Sequence, residues 1–170
     1  MSFVPFIESP IEVVRRMLQL AKVGEEDLVY DLGSGDGRTV ITSCSEFGAQ
    51  AVGVELRADL VKRSTDEIRR LELTGRGKII QTDFFNFDLS NATVIILYLN
   101  TSTNSRLKPK LEKELRDGTR VVSHDFEITG WKPLVVSRDN PLGHSIYLYK
   151  LPESVVGPEG SSPSNPSSLL

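Results

Sequence analysis

The chain is 170 residues long, 39% hydrophobic and 25% charged, with a formal net charge of −3 at pH 7. That is enough for one globular domain with a buried core, and the acidic balance argues against a protein that holds nucleic acid on a broad basic surface. One cysteine, Cys44, excludes an internal disulfide and a Cys-based zinc site.

Such sparing use of cysteine fits a reducing compartment. The opening MSFVPFIESP lacks the basic start and apolar stretch of a signal peptide, and no run approaches the length of a membrane span. A cytoplasmic monomer is expected, with no membrane contact and no metal ligands. Near the other end, ten of the twelve residues from Gly157 to Ser168 are Gly, Pro or Ser. The expected organisation is a single domain over 1–152 that includes an N-terminal cap helix, then a disordered tail over 153–170.

In chain order, SPIEVVRRMLQLAKV opens with helix-start chemistry: Ser9 as cap, Pro10 at the first helical position and Glu12 completing a capping box. Ile11, Val14, Met17, Leu18 and Ala21 recur at helical spacing. LVYDLG reads as a buried strand, followed by a glycine turn and a helix to about Phe47, with Gly48 as its stop. QAVGVEL is a strand, Asp59 to Leu73 a helix ending at Gly75, KIIQTD a strand, and ATVIILYL the most apolar strand. A helix around NSRLKPKLEKEL is expected to bend or restart at Pro109. Its interleaved Lys and Glu suit a solvated face with intrahelical pairs better than a nucleic-acid patch. TRVVSHDF is the next strand, and PLVVSR and HSIYLYKL, joined by DNPLG, form an antiparallel hairpin. The alternation predicts an α/β fold: a doubly wound, mostly parallel, seven-stranded Rossmann-like sheet with the hairpin at its C-terminal end.

The turn DLGSGDGR carries the first chemical signal. It follows a strand and opens a helix, where glycines let the backbone approach a ligand and the helix N-terminus offers free N–H groups. Gly33, Gly35 and Gly37 lack the third glycine spacing of a dinucleotide fingerprint, and the P-loop pattern is absent. Asp31, two residues before the first glycine, would repel a pyrophosphate but accept hydrogen bonds from an ammonium group.

The motif closely resembles the first motif of class I S-adenosylmethionine-dependent methyltransferases. The resemblance implies S-adenosylmethionine as cofactor, with S-adenosylhomocysteine as product, and a loop that holds the methionine part. It implies further that Glu55 accepts the ribose hydroxyls and that Asp83 meets the adenine amino group with Phe84 beside the ring. Ser9, Tyr30, Asp31, Gly33, Gly35, Gly37, Glu55, Leu56, Asp83, Phe84 and Leu97 make up the implied cofactor set.

FIESPIEVVRRMLQLAKV, VYDLGSGDGR, AVGVEL, LKPKLEKELRDGTRVVSHDFEITGWKP and YLYKL are similar, over about residues 3–151, to small archaeal protein lysine methyltransferases of broad specificity. They are also similar to the mitochondrial enzymes that modify lysines of the ATP synthase c-ring protein and of adenine nucleotide translocase. The chain departs from that pattern at Phe6–Pro10, where Glu8 replaces a proline and Ser9 a threonine, and at Asn100–Thr103. The implied acceptors are exposed protein lysines, automethylation included. The alternatives are an RNA or small-molecule methyltransferase on the same fold, or a non-catalytic cofactor-binding module.

Around the acceptor channel the resemblance places Tyr98, Asn104, His124, Asp125 and Trp131 as catalytic candidates. Each also has a plain structural reading: packing for Tyr98 and Trp131, a helix cap for Asn104, a satisfied core histidine for His124, and a turn residue for Asp125. Cys44 is expected in the core and His144 on the hairpin surface.

Overall fold

The structure is a computed structural model that describes residues 7–157. Its elements are α1 (Ile11–Leu20), β1 (Leu28–Leu32), α2 (Arg38–Ser45), β2 (Gln50–Glu55), α3 (Ala58–Arg70), β3 (Gly77–Gln81), a 3-10 turn (Phe84–Asn86), β4 (Val94–Leu97), α4 (Thr101–Glu114), β5 (Arg120–His124), β6 (Val135–Ser137) and β7 (Ile146–Lys150). The strands form one seven-stranded sheet in the order β3-β2-β1-β4-β5-β7-β6. Pairings from β3 through β5 are parallel; β7 runs antiparallel to both β5 and β6. This is the expected architecture, and its strand order reverses between β1 and β4, where an open α/β sheet leaves a crevice at its carboxyl edge.

The period-two alternation of the strands feeds two cores. Tyr30, Leu32, Val52, Val54, Ile95 and Leu97 face one helical layer with Leu107 and Leu111 of α4. Val29, Ala51, Val94, Ile96 and Val122 face the other, with Val13, Val14, Met17 and Leu18 of α1 and Cys44 of α2. Buried on both faces, these strands read as near-continuous apolar runs. Each fully buried Leu, Ile or Met contributes about 1.5–3 kcal/mol.

Local chemistry departs from the sequence reading in four places. Ser9 does not cap α1: Pro10 occupies the cap position, no side chain caps it, and the Ser9 hydroxyl turns to His124 instead. The buried stripe of α1 takes in Val13, while Ile11 is 37% exposed. α4 begins earlier than expected because Asn100, not Asn104, is its cap, accepting from Thr103 N at 2.7 Å. The helix then runs through Pro109, which lies on its exposed face, without the expected break. The expected i,i+4 pairs form between Lys110 and Glu114 at 2.6 Å and Lys108 and Glu112 at 4.0 Å.

Packing also extends past the expected domain boundary at 152. Ser154 is buried, exchanges hydrogen bonds with Lys150 (its N to Lys150 O, its Oγ from Lys150 N), and is followed by Val155, which bridges to Trp131. The rest of the expected tail, 158–170, lies outside the described residues. Among the described residues no helix is long and apolar enough to cross a membrane.

Candidate active site

The glycine turn sits where β1 hands over to α2. Gly33, Gly35 and Gly37 all adopt positive φ, at 84°, 56° and 83°, a region other L-residues enter at a cost. The turn is also pressed onto β2. Gly33 N and Ser34 N both donate to Val54 O, and a Cβ on Gly53 would stand 2.5 Å from Ser34 Oγ. Gly53 is thus a fourth glycine of the site. Its signal in the sequence, a small residue inside an apolar strand, was legible but not read.

Three carboxylates end three neighbouring strands. Asp31 is buried at the end of β1; burial, with the Glu55 carboxylate beside it, pushes it up to about 8, and a hydrogen bond with Thr39 opposes the shift. Glu55 is held by two backbone donors, Gly35 N on Oε1 and Arg57 N on Oε2, each at 2.9 Å. Asp83 uses Oδ1 to cap the following 3-10 turn at Phe85 N, which fixes Phe84 against Phe85 with ring centroids 4.9 Å apart. A buried, cation-hungry carboxylate beside a glycine turn, with two oriented carboxylates further along, suits a ligand with an ammonium end and a hydroxylated middle.

The cleft over the turn is lined by Glu8, Ser9, Asp31, Ser34, Asp36, Arg38, Thr39 and Tyr98, among others. Arg38 bridges it: its guanidinium meets Asp36 at 2.7 Å, Glu8 at 2.6 Å and Ser9 O at 3.1 Å. This ties the segment before α1 across the turn. Ser34 Oγ is buried with no hydrogen-bond partner among the described residues. An orphaned hydroxyl in a ligand cleft offers a contact that a ligand would fill. Ser34, Asp36, Arg38 and Thr39 belong to this wall, and the sequence reading named none of them as site residues.

On the other side of the cleft the candidates gather around His124. Its ring is fully buried and stacks on Tyr98, with centroids 3.8 Å apart. Nδ1 meets Ser9 Oγ at 2.8 Å and Nε2 meets His144 Nδ1 at 2.8 Å. His144 Nδ1 in turn lies 3.0 Å from Asp125 Oδ2. Burial, with His144 adding to it and Asp125 opposing, lowers His124 to about 4, so it is neutral at physiological pH. Asp125 stands at φ 61°, with Oδ1 taking Ser145 N. Asn104 supports the turn: its Nδ2 reaches Ser123 Oγ, Phe126 O and Glu127 O at 3.2–3.3 Å.

Several sequence candidates stand elsewhere. Trp131 packs edge-on against Tyr149 in the core and donates Nε1–H to Glu112 at 2.7 Å, away from the cleft lining. Tyr30 and Leu97 point into the same core, because the alternation that turns Asp31 toward the cleft turns its neighbours away. Leu56 is 60% exposed at the sheet edge. His144, read as a surface residue, is part of the His124 cluster. Cys44 is buried as expected, and burial raises its thiol.

The model of the ANTKMT methyltransferase domain matches residues 31–135. A protein-lysine N-methyltransferase of Saccharolobus islandicus is 48% identical over 153 residues, covering 88% of this chain and 95% of the relative. A Mus musculus lysine N-methyltransferase of the ATP synthase c-ring protein is 34% identical over 131 residues, 77% of this chain; the chain spans about half, 51%, of that protein. A crystal structure of an RNA methyltransferase from Salinibacter ruber with S-adenosyl-L-homocysteine matches with a TM-score of 0.84 at 42% identity, over 91% of this chain and 98% of that one.

Proposed function

This chain belongs to the ANTKMT methyltransferase domain family, and we propose that it transfers methyl groups from S-adenosylmethionine to lysine ε-amino groups of proteins. When bound, S-adenosylmethionine would supply a methyl on a positively charged sulfonium: the N–C bond to an amine forms as the C–S bond breaks, and S-adenosylhomocysteine leaves as the neutral thioether. The residues present fit it. Asp31 takes the ammonium end, Ser34 Oγ and the glycine-turn backbone take the polar groups of the methionine portion, Glu55 takes the ribose hydroxyls, and Asp83 with Phe84 the base.

The chain's remaining task is to present a neutral amine. A lysine of pKa near 10.4 costs about 4–5 kcal/mol to deprotonate at neutral pH. Holding it in attack geometry contributes up to about 7–11 kcal/mol, so no strong base is required. Tyr98, braced on the His124 ring, walls the path of the amine, and the Asp125 carboxylate accepts a hydrogen bond from it. Neutral His124 adds no positive charge to repel it.

The observation that carries lysine over RNA is the charge at the cleft. Glu8 and Asp36 line it and Asp125 stands behind Tyr98, whereas Arg38, the one cation among its described lining residues, is paired with both Glu8 and Asp36, so the acidic groups stay in excess. Such a mouth attracts an ammonium group and repels a phosphate backbone. The similarity to the Salinibacter RNA methyltransferase favours the second reading, an RNA acceptor. We read the acceptors as exposed lysines on many cytoplasmic proteins, this chain's own included, and the enzyme as a monomer.

The test is label transfer from S-adenosylmethionine into a lysate of the source organism, with ribonuclease and protease arms and the labelled residues mapped by mass. Label on lysine that survives ribonuclease supports the proposal; label lost to ribonuclease moves the acceptor to RNA.

A further inference from the structure

We propose that His124, Asp125 and His144 form a binding site for a divalent transition-metal ion of the zinc class at the back of the acceptor side of the cleft. Three donor atoms converge there: His124 Nε2 and His144 Nδ1 at 2.8 Å, His144 Nδ1 and Asp125 Oδ2 at 3.0 Å, and His124 Nε2 and Asp125 Oδ2 at 3.4 Å. A metal held by nitrogen and oxygen at about 2.0–2.2 Å sets neighbouring ligand atoms about 2.9–3.4 Å apart at angles between square and tetrahedral. The three edges of this triangle fall on or close to that range.

Hydrogen bonding alone serves the cluster poorly. All three atoms can act as acceptors, and two ring protons placed on the facing nitrogens would collide. One proton, on His144 Nδ1, must then be shared by His124 Nε2 and Asp125 Oδ2. A cation in place of that proton satisfies all three lone pairs at once. Two imidazoles and one carboxylate suit zinc, cobalt(II) or iron(II) rather than magnesium or calcium, which prefer all-oxygen sets.

Side-chain contacts outside the triangle hold two of the donors, His124 and Asp125, as the ligands of metal sites are held, and backbone bonds hold the third residue. His124 Nδ1 rests on Ser9 Oγ at 2.8 Å. Asp125 is held by Ser145, with Ser145 N donating to Oδ1 at 3.1 Å and Asp125 N donating to Ser145 O at 2.7 Å. The His144 backbone is clamped on both sides by Asn140, Nδ2 to His144 O at 2.8 Å and His144 N to Oδ1 at 3.0 Å. An entry path exists, since the side chains of Asp125 and His144 are 30% and 26% exposed while His124 is closed. The ion would pin the end of β5 to the connection between β6 and β7. It would also engage Asp125, so it competes with the acceptor amine, a consequence that rests on the lysine reading above.

The experiment uses the full chain stripped of metal with a chelator. Cobalt(II) is titrated and followed by its visible absorption, zinc by calorimetry, and the melting temperature is measured with and without each. Expected are one equivalent bound, a cobalt spectrum of low coordination number and a raised melting temperature. His144→Ala should weaken binding by more than about tenfold. His144→Asn keeps an amide donor toward Asp125; it should leave the metal-free melting temperature near that of the parent while losing the metal-dependent rise. No spectrum and no shift in the parent chain, or binding that both variants retain, would overturn the site. Methylation of a lysine peptide is measured in parallel: zinc should raise KM for the peptide and leave kcat unchanged. Bound zinc with an unmoved KM overturns the competition alone, and the absence of peptide methylation by the metal-free protein counts against the lysine reading, not the metal site.

Discussion

The two sides of the cleft are built in different ways. The side over the glycine turn is assembled from neighbours: Asp31 and the three glycines lie within seven residues, and Glu55 reaches Gly35 from the adjacent strand. The side around His124 is assembled from across the chain: Ser9 and His124 are 115 residues apart, and His144 arrives from the hairpin. The first side reads a ligand by backbone shape and fixed carboxylates; the second works through a side-chain network whose members support one another. Damage should therefore act on binding in the first and on turnover in the second.

The largest effect is expected at Asp31. Asp31→Asn keeps the shape but removes the charge facing an ammonium, and should weaken S-adenosylmethionine binding by about 100-fold or more in calorimetry. The free protein should move in the opposite direction. A carboxyl whose folded pKa is raised from 3.8 to about 8 binds its proton in the folded state and not in the unfolded one between those values. Stability of the free protein therefore falls as pH rises from about 4 to about 8. At pH 9 the variant should melt higher than the parent, by up to about 5 kcal/mol of stability. A variant with lower stability at pH 9 would mean that Asp31 is solvated or paired.

The same shift gives a pH dependence to binding. With Asp31 largely protonated below pH 8, an ammonium ligand binds only after the proton leaves. Affinity should rise about tenfold per unit from pH 5 to pH 7, with about one proton released per ligand, read from calorimetry in buffers of different ionisation enthalpy. A flat profile over that range would remove Asp31 from the ammonium site.

The difference between the two sides also explains what could be read from the sequence. The strand and helix alternation and the glycine turn are local patterns, and period-two and 3.6 spacing expose them. The places of Asp31, Glu55 and Asp83 at or just past strand ends were legible because each follows an apolar run. Ser9 was misread as a cap because its competing partner, His124, is distant in the chain; nothing local distinguishes a serine that caps from one that meets a buried imidazole. His144 was placed on the surface for the same reason. Tyr30 and Leu97 entered the cofactor set with the resemblance, whereas the pleat turns them into the core. Asn104 was given as a catalytic candidate with a helix cap as its plain structural reading; Asn100, four residues earlier, is the cap, and Asn104 supports the 126–127 turn.

Smaller effects come from one supporting residue on each side. Gly53→Ala puts a methyl into Ser34 Oγ and the Ile79 side chain, at 2.5 and 2.6 Å, and should cost about 1–3 kcal/mol in denaturant unfolding while displacing the glycine turn. Its functional signature is weaker cofactor binding. Asn104→Ala strips three hydrogen bonds from Ser123 and the 126–127 backbone and should cost about 1–3 kcal/mol. Its signature is lower kcat with cofactor affinity held. If both variants lowered cofactor affinity equally, the cleft would act as a single unit and the division into two sides would be wrong.

Trp131 marks the smallest effect and the outer limit of the site. Its indole lies in the core against Tyr149, and its one polar contact is to Glu112 on α4. Trp131→Phe keeps most of the apolar surface and removes the Nε1–H, leaving a partly exposed carboxylate that water can solvate. The expected cost is about 1 kcal/mol in unfolding, with the methyl-transfer KM and kcat unmoved. A residue whose loss touches stability but not turnover belongs to the scaffold. If kcat fell tenfold at unchanged cofactor affinity, the packing of Trp131 would have to reach the His124 cluster through α4 and the turn that Asn104 supports, and the acceptor side would extend into the core.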